Sequence, residues 1–175
     1  VAASVDADAV KAVQEEFRGP SFRLYGSADV VGVEVGAALK NIIAIAAGVT
    51  ESMQLGHNAM SALITRGLAE ISRLACAMGG RRESLAGLSG LGDLVLTCTG
   101  ALSRNRQVGI ELGRGRALPD IVGSMRMIAE GVKTTYATVK LAEGRGVEVP
   151  ITSQVRRILE SQVSPREAIR ELMER

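Results

Sequence analysis

A mainly α fold of many helices, led by a short β–α–β piece, is what this sequence predicts. Three observations carry that reading. Helical periodicity runs from about residue 29 almost to the C-terminus. Breakers and caps punctuate it at helix-length intervals, Gly79-Gly80 and Ser164-Pro165 among them. Small residues are abundant inside the helical stretches, which favours close helix–helix approach and an Ala/Leu/Ile/Val core. With 175 residues and 46% hydrophobic composition, the chain can bury a substantial core. The expected division is a strand–helix–strand remnant at residues 1–28 and an all-helical unit at residues 29–175.

In order, Val-Ala-Ala-Ser at the start reads as the end of a strand, and the lack of an initiator methionine suggests the back part of a longer protein. Residues 5–18 place Val10, Val13 and Phe17 at helical spacing, with Asp6 and Asp8 suited to the first turn. Gly19-Pro20 breaks that helix, and the alternation Phe22, Arg23, Leu24, Tyr25 reads as a short strand. Val33–Val49 is apolar nearly all round, the pattern of a helix buried on every side. Asn58–Met78 is amphipathic and ends at Gly79-Gly80. A short helix over Arg81–Ala86 leads into a glycine-punctuated loop, Gly90 to Arg106. Further helices are expected at Ser103–Leu112, Pro119–Met127, Lys133–Arg145 and Thr152–Gln162, with a last one opening at Ser164-Pro165. Val147–Pro150 reads as an extended link.

Composition excludes several function classes. A net charge of +2, from 21 basic and 19 acidic residues, gives no electrostatic case for nucleic acid, and two Phe and two Tyr leave little to stack bases on. Cys76 and Cys98 lack metal-ligand spacing, and the single His57 cannot complete a His/Cys cluster. No signal peptide is recognisable, and the apolar run from Ala37 to Val49 contains Lys40, so no membrane span is expected. Cytoplasmic localisation is the expectation.

Two polar concentrations stand out. Lys40-Asn41 interrupts the apolar helix, and a lysine held away from water can act as a general acid or base near neutrality. The alternative is a lysine that reaches the surface or pairs with an acid such as Glu34. The stretch from Gly90 to Arg106 gathers Asp93, Thr97, Thr99, Ser103, Arg104 and Asn105. Buried polar groups must be re-paired, so such crowding suits a small polyol carrying an anionic group. Arg104 at a helix start combines a guanidinium fork with free N–H groups, a phosphate-binding arrangement; an N-cap at Ser103 in a solvated loop is the alternative. Asp93 can equally cap a helix, Thr97 and Thr99 can satisfy local backbone, and Glu130-Gly131 can be a simple helix start. Cys98 has no adjacent base to make it a nucleophile. The dinucleotide fingerprint Gly-x-Gly-x-x-Gly is missing: Gly87, Gly90 and Gly92 have the reverse spacing.

At these residues the chain closely resembles the bacterial NAD(P)-dependent glycerol-3-phosphate dehydrogenases. The matching stretches are Val31–Gly48, Ala62–Glu70, Gly90–Thr99, Ser103–Arg106, Glu130-Gly131 and Val147–Ile151. The resemblance implies a Rossmann domain followed by a multi-helix substrate domain of the 6-phosphogluconate-dehydrogenase C-terminal-like type, a homodimer, and a role in glycerophospholipid biosynthesis. It implies that Lys40 accepts the proton at the substrate C2 hydroxyl. Lys40, Asn41, Asp93, Thr97, Ser103, Arg104 and Asn105 would bind glycerol 3-phosphate or dihydroxyacetone phosphate, and Arg104, Ile128 and Glu130 would contact NAD(P)H. The main cofactor domain, with a second substrate-site lysine, is not in these 175 residues, so the isolated chain is expected to be inactive. NAD and NADP are not distinguished by the residues present. Two other readings compete: a non-catalytic helical dimerisation or ligand-binding module, and the substrate domain of a related hydroxyacid dehydrogenase.

Overall fold

The computed structural model describes residues 1–125 and 129–174. Strands β1 (Ala2–Ala3) and β2 (Gly26–Ser27) pair in parallel, and α1 (Ala7–Glu16) crosses between them. Asp6 ends the crossover turn as the α1 cap, its Oδ1 accepting from the Asp8 and Ala9 N–H groups at 2.9 and 3.1 Å. Phe22–Tyr25 is not the strand its alternation predicts. Gly19 and Phe22 instead exchange backbone hydrogen bonds in a tight turn, and pairing with β1 begins at Gly26. Phe22 remains 55% exposed, so the alternation buries no face.

Nine further helices follow among the described residues: α2 (Val30–Ser52), α3 (Gly56–Ala77), α4 (Arg82–Ala86), α5 (Asp93–Thr99), α6 (Arg104–Gly113), α7 (Leu118–Ser124), α8 (Glu130–Arg145), α9 (Pro150–Leu159) and α10 (Pro165–Met173). The expected end of α7 at Met127 lies outside the described residues. Gly79 takes the left-handed φ of +93° that a helix-terminating glycine supplies, and Ser164 caps α10 ahead of Pro165.

Helix α2 is the hub, packed by α3, α5, α6 and α8. By length and composition it is apolar enough to cross a membrane, yet half of that stretch is buried inside the fold, where Ile42, Ile43, Ile45 and Ala47 form the core centre. It is not buried on every side. Glu34, Ala37 and Ala38 are exposed and Asn41 half-buried, an i, i+3, i+4, i+7 stripe left open along one face. The sequence pattern hid this stripe because alanine counts as apolar while losing little by exposure.

Where α2 meets α6, two glycines face each other. A Cβ on Gly109 would lie 1.9 Å from the Ile45 carbonyl oxygen, and one on Gly48 would lie 2.0 Å from that of Arg106. Glycine inside a helix costs about 1 kcal/mol relative to alanine. Its presence on both helices sets their backbone-to-backbone approach.

Two buried carboxylates tie helix ends together. Asp29 caps α2 through Gly32 N–H at 2.8 Å and also accepts from Arg81 N–H at 2.8 Å, joining α2 to the start of α4. Burial pushes its carboxyl up, but bonds from the Ser84 side chain and both N–H groups, with the Arg81 charge, outweigh this and hold it below the usual range. Glu70 of α3, 1% exposed, accepts from Ile151 N–H at 2.8 Å, from Thr152 N–H at 2.9 Å and from the Thr152 hydroxyl at 2.6 Å. It caps α9, whose own N-cap Val149 offers no side-chain bond. Burial is the largest influence on its carboxyl and raises it, with the three bonds partly opposing. Glu70→Ala leaves two buried N–H groups unpaired beside a cavity, so a loss of about 3 kcal/mol is expected. In a thermal melt that is a fall of roughly 6–12 °C; an unchanged midpoint would contradict the capping role.

Candidate functional site

The polar stretch Gly90–Arg106 is largely helical, not a loop. A wide helical turn at Leu88–Gly92 runs straight into α5, and α6 begins after the four residues Gly100 to Ser103. Gly90 is needed there for packing: a Cβ would meet the Leu85 carbonyl oxygen at 2.0 Å. Leu94 and Cys98, both fully buried, anchor α5 in the core. Asp93, in the first turn, is thereby turned towards α2, where an acid also suits the helix dipole.

Lys40 of α2 and Asp93 of α5 form a hydrogen-bonded ion pair. Their side chains are 21% and 30% exposed, so the pair sits at the edge of the open α2 stripe with access to water. Lys40 is therefore neither sealed in apolar surroundings nor paired with Glu34. Its partner is 53 residues away in sequence.

One residue on, Asn41 Oδ1 accepts from Asn105 Nδ2 at 2.9 Å, and Asn105 Oδ1 accepts from Gly131 N–H at 2.9 Å. Asn105 is 8% exposed and links α2, α6 and α8. Both ends of its amide engage protein, so its geometry is that of a clamp as much as of a ligand contact. Ser103 caps α6 by accepting from Arg106 N–H at 3.3 Å, and Arg104 lies exposed in the first turn of that helix. Arg106 turns away to Glu51 at the end of α2, 2.6 Å distant, and is not part of the cluster.

The hydroxyls are less available than their crowding suggests. Thr97 donates to the Asp93 carbonyl at 2.6 Å and Thr99 to the Val95 carbonyl at 2.8 Å, each one helical turn back. Cys98 is inert, its thiol pushed up to about 12 by burial. Glu130 opens α8, exposed beside the buried Gly131; Ile128 lies outside the described residues. Lys40, Asn41, Asp93 and Asn105 are thus brought together, with Arg104 on the flanking turn. Sequence reasoning gave Gly131 only a place at a helix start and missed its contact with Asn105. The signal was a glycine at the second position of a helix, where flexibility is of no use.

A cleft of about 810 Å³ under α1 is lined by Lys11, Arg18, Phe22 and Tyr25 among others, and no residue of the cluster reaches it. Its walls are exposed side chains of the β–α–β lead, so it is an open seam. The β1–α1 turn also fails as a pyrophosphate cradle. It has no glycine, and the Asp6 carboxylate already occupies the α1 N–H groups with negative charge.

Comparison with known proteins bears directly on this arrangement. The family model described as the C-terminus of NAD-dependent glycerol-3-phosphate dehydrogenase matches residues 29–170. A glycerol-3-phosphate dehydrogenase [NAD(P)+] of Koribacter versatilis is 62% identical over 175 residues, covering 99% of this chain and 52% of its own length. That of Geobacter sulfurreducens is 57% identical, with 100% and 52% covered. Among solved structures, glycerol-3-phosphate dehydrogenase from Coxiella burnetii superposes with a TM-score of 0.94 at 44% identity, covering 99% of this chain and 53% of that one. The chain spans about half the length of the relatives it matches. It belongs to the family of NAD-dependent glycerol-3-phosphate dehydrogenase C-terminal domains.

Proposed function

We propose that this chain supplies the substrate-binding and proton-transfer half of an NAD(P)-dependent oxidoreductase that interconverts sn-glycerol 3-phosphate and dihydroxyacetone phosphate. The observation that carries the reading is the Lys40–Asp93 pair at the rim of the open α2 stripe, one residue from the Asn41–Asn105 clamp. Bound nicotinamide cofactor, gripped mainly by residues outside this chain, supplies or takes the hydride at C2. Lys40 donates its proton to the C2 oxygen as negative charge develops there, and accepts it in the reverse direction. Asp93 aims the ammonium through their ion pair. Ala37 and Ala38 leave room for a three-carbon chain along α2. Arg104, with the first-turn N–H groups of α6, holds the phosphate and so fixes C2 against Lys40. Asn41, Thr97 and Ser103 line the same site, and Arg104 and Glu130 meet the cofactor edge.

The test is a chimera in which the N-terminal half of the Koribacter versatilis relative precedes this chain. It is expected to oxidise NADH or NADPH when dihydroxyacetone phosphate is added. Arg104→Ala in that chimera is expected to raise the KM for dihydroxyacetone phosphate by about 10–100-fold, the worth of a charged hydrogen bond, with a smaller change in kcat. An unaltered KM would remove Arg104 from the phosphate site. The reading includes a cytoplasmic homodimer; sedimentation of the chimera at a single-chain mass would contradict that part.

A further inference from the structure

We propose that Gly131 is a positioning residue for proton transfer by Lys40, acting through Asn105 and Asn41; this rests on the assignment of Lys40 above. Ala129, the N-cap of helix α8, offers it no side-chain cap. The cap comes from another helix: Asn105 of α6 accepts the Gly131 N–H at 2.9 Å. That bond fixes the amide, since an oxygen turned to Gly131 leaves Nδ2 facing Asn41 Oδ1, also at 2.9 Å. A directional relay therefore runs from the α8 backbone through Asn105 to Asn41, the neighbour of Lys40.

No side chain fits at the start of this relay. A Cβ on Gly131 would lie 2.7 Å from Asn105 Oδ1 and 2.8 Å from the Asn41 carbonyl oxygen. The Asn41 carbonyl belongs to the core helix, held in place by the Gly48–Gly109 crossing, and cannot retreat. From the other side the Thr135 hydroxyl, fully buried, donates to the Gly131 carbonyl at 2.7 Å and holds the turn. Adding one methyl group must either rotate Asn105, which breaks both bonds, or push α8 off α2. In either case the Asn41 end of the relay is released beside Lys40, and a displacement of the order of 1 Å between reacting groups is worth about 100-fold in rate.

Kinetics of the chimera and amide exchange of the 175-residue chain test this together. Gly131→Ala is expected to lower kcat about 10–100-fold with KM for dihydroxyacetone phosphate within about threefold. Glu70→Ala, which weakens the fold at the start of α9 without touching the relay, is expected to lower the melting temperature and leave kcat within about twofold. Because Asn105→Ala and Gly131→Ala break one relay, their losses in kcat should overlap, the double variant losing little more than the worse single one. Multiplicative losses overturn the proposal, as does a Gly131→Ala variant with unaltered kcat or with only KM raised. Should Gly131→Ala not fold, exchange decides. The Gly131 amide should be protected in the parent chain and exchange rapidly in Asn105→Ala, and fast exchange in the parent overturns the relay. A parent chimera without dihydroxyacetone phosphate reduction sinks the functional reading alone, and the exchange measurement still decides the relay.

Discussion

Lys40→Ala in the chimera is expected to lower kcat for dihydroxyacetone phosphate reduction by about 10²–10⁴-fold, the range for losing a general acid. KM should change far less, because the proton is needed only as charge develops on the C2 oxygen. Loss of fold does not confuse the result. Asp93, left without its partner, is 30% exposed and rehydrates, and a partly exposed pair contributes about 1 kcal/mol or less. Lys40→Arg separates two roles. It keeps a positive charge against Asp93 but cannot give up its proton, so kcat should stay near the Lys40→Ala level. Restoration by arginine would make Lys40 an electrostatic residue, and near-parent kcat in Lys40→Ala would remove it from the mechanism.

Gly109→Val is expected to lose more than about 4 kcal/mol of stability in a urea titration. The first added atom already sits 1.9 Å from the Ile45 carbonyl oxygen, and the branches have no free space between two helix backbones. Such a clash is relieved only by moving α6 off α2, which would also pull Asn105 from Asn41. Gly144→Ala supplies the contrast. It lies within α8 with nothing inside 4 Å of its Cβ position, so about 0.5–1 kcal/mol of added stability is expected. Equal tolerance at the two positions would mean that the α2–α6 approach is looser than described.

Local signals carried much of the fold. Asp6, Ser103 and Ser164-Pro165 open helices where their chemistry says they should, and Gly79 closes one. Reading failed where a residue serves a neighbour far away in sequence. Gly87, Gly90 and Gly92 look like loop punctuation, yet Gly90 is small because Leu85 backbone lies against it inside a helical turn. Phe22–Tyr25 alternates like a strand, but a two-residue sheet takes its register from β1, and that places the pair at Gly26–Ser27.

The candidate site divides along the same line. Lys40 and Asp93 were each conspicuous, whereas their pairing across 53 residues depends on how α5 is anchored by Leu94 and Cys98. The amide of Asn105, which reads as a ligand contact from its neighbours Ser103 and Arg104, is directed into the protein by a backbone N–H of α8. Thr97 and Thr99 lent polarity to the stretch, but their hydroxyls are taken up by their own helix. The sequence leaves that local reading open beside the ligand one, and the helical backbone of α5 decides for it.

The most direct measurement is nicotinamide absorbance during addition of dihydroxyacetone phosphate to the chimera, to its Lys40→Ala variant and to the 175-residue chain alone. The expected result is rapid loss of absorbance with the parent chimera, loss slower by about 10²–10⁴-fold with Lys40→Ala, and none with the chain alone. A folded parent chimera that leaves the cofactor reduced, or turnover by the 175-residue chain without its partner half, would contradict the account.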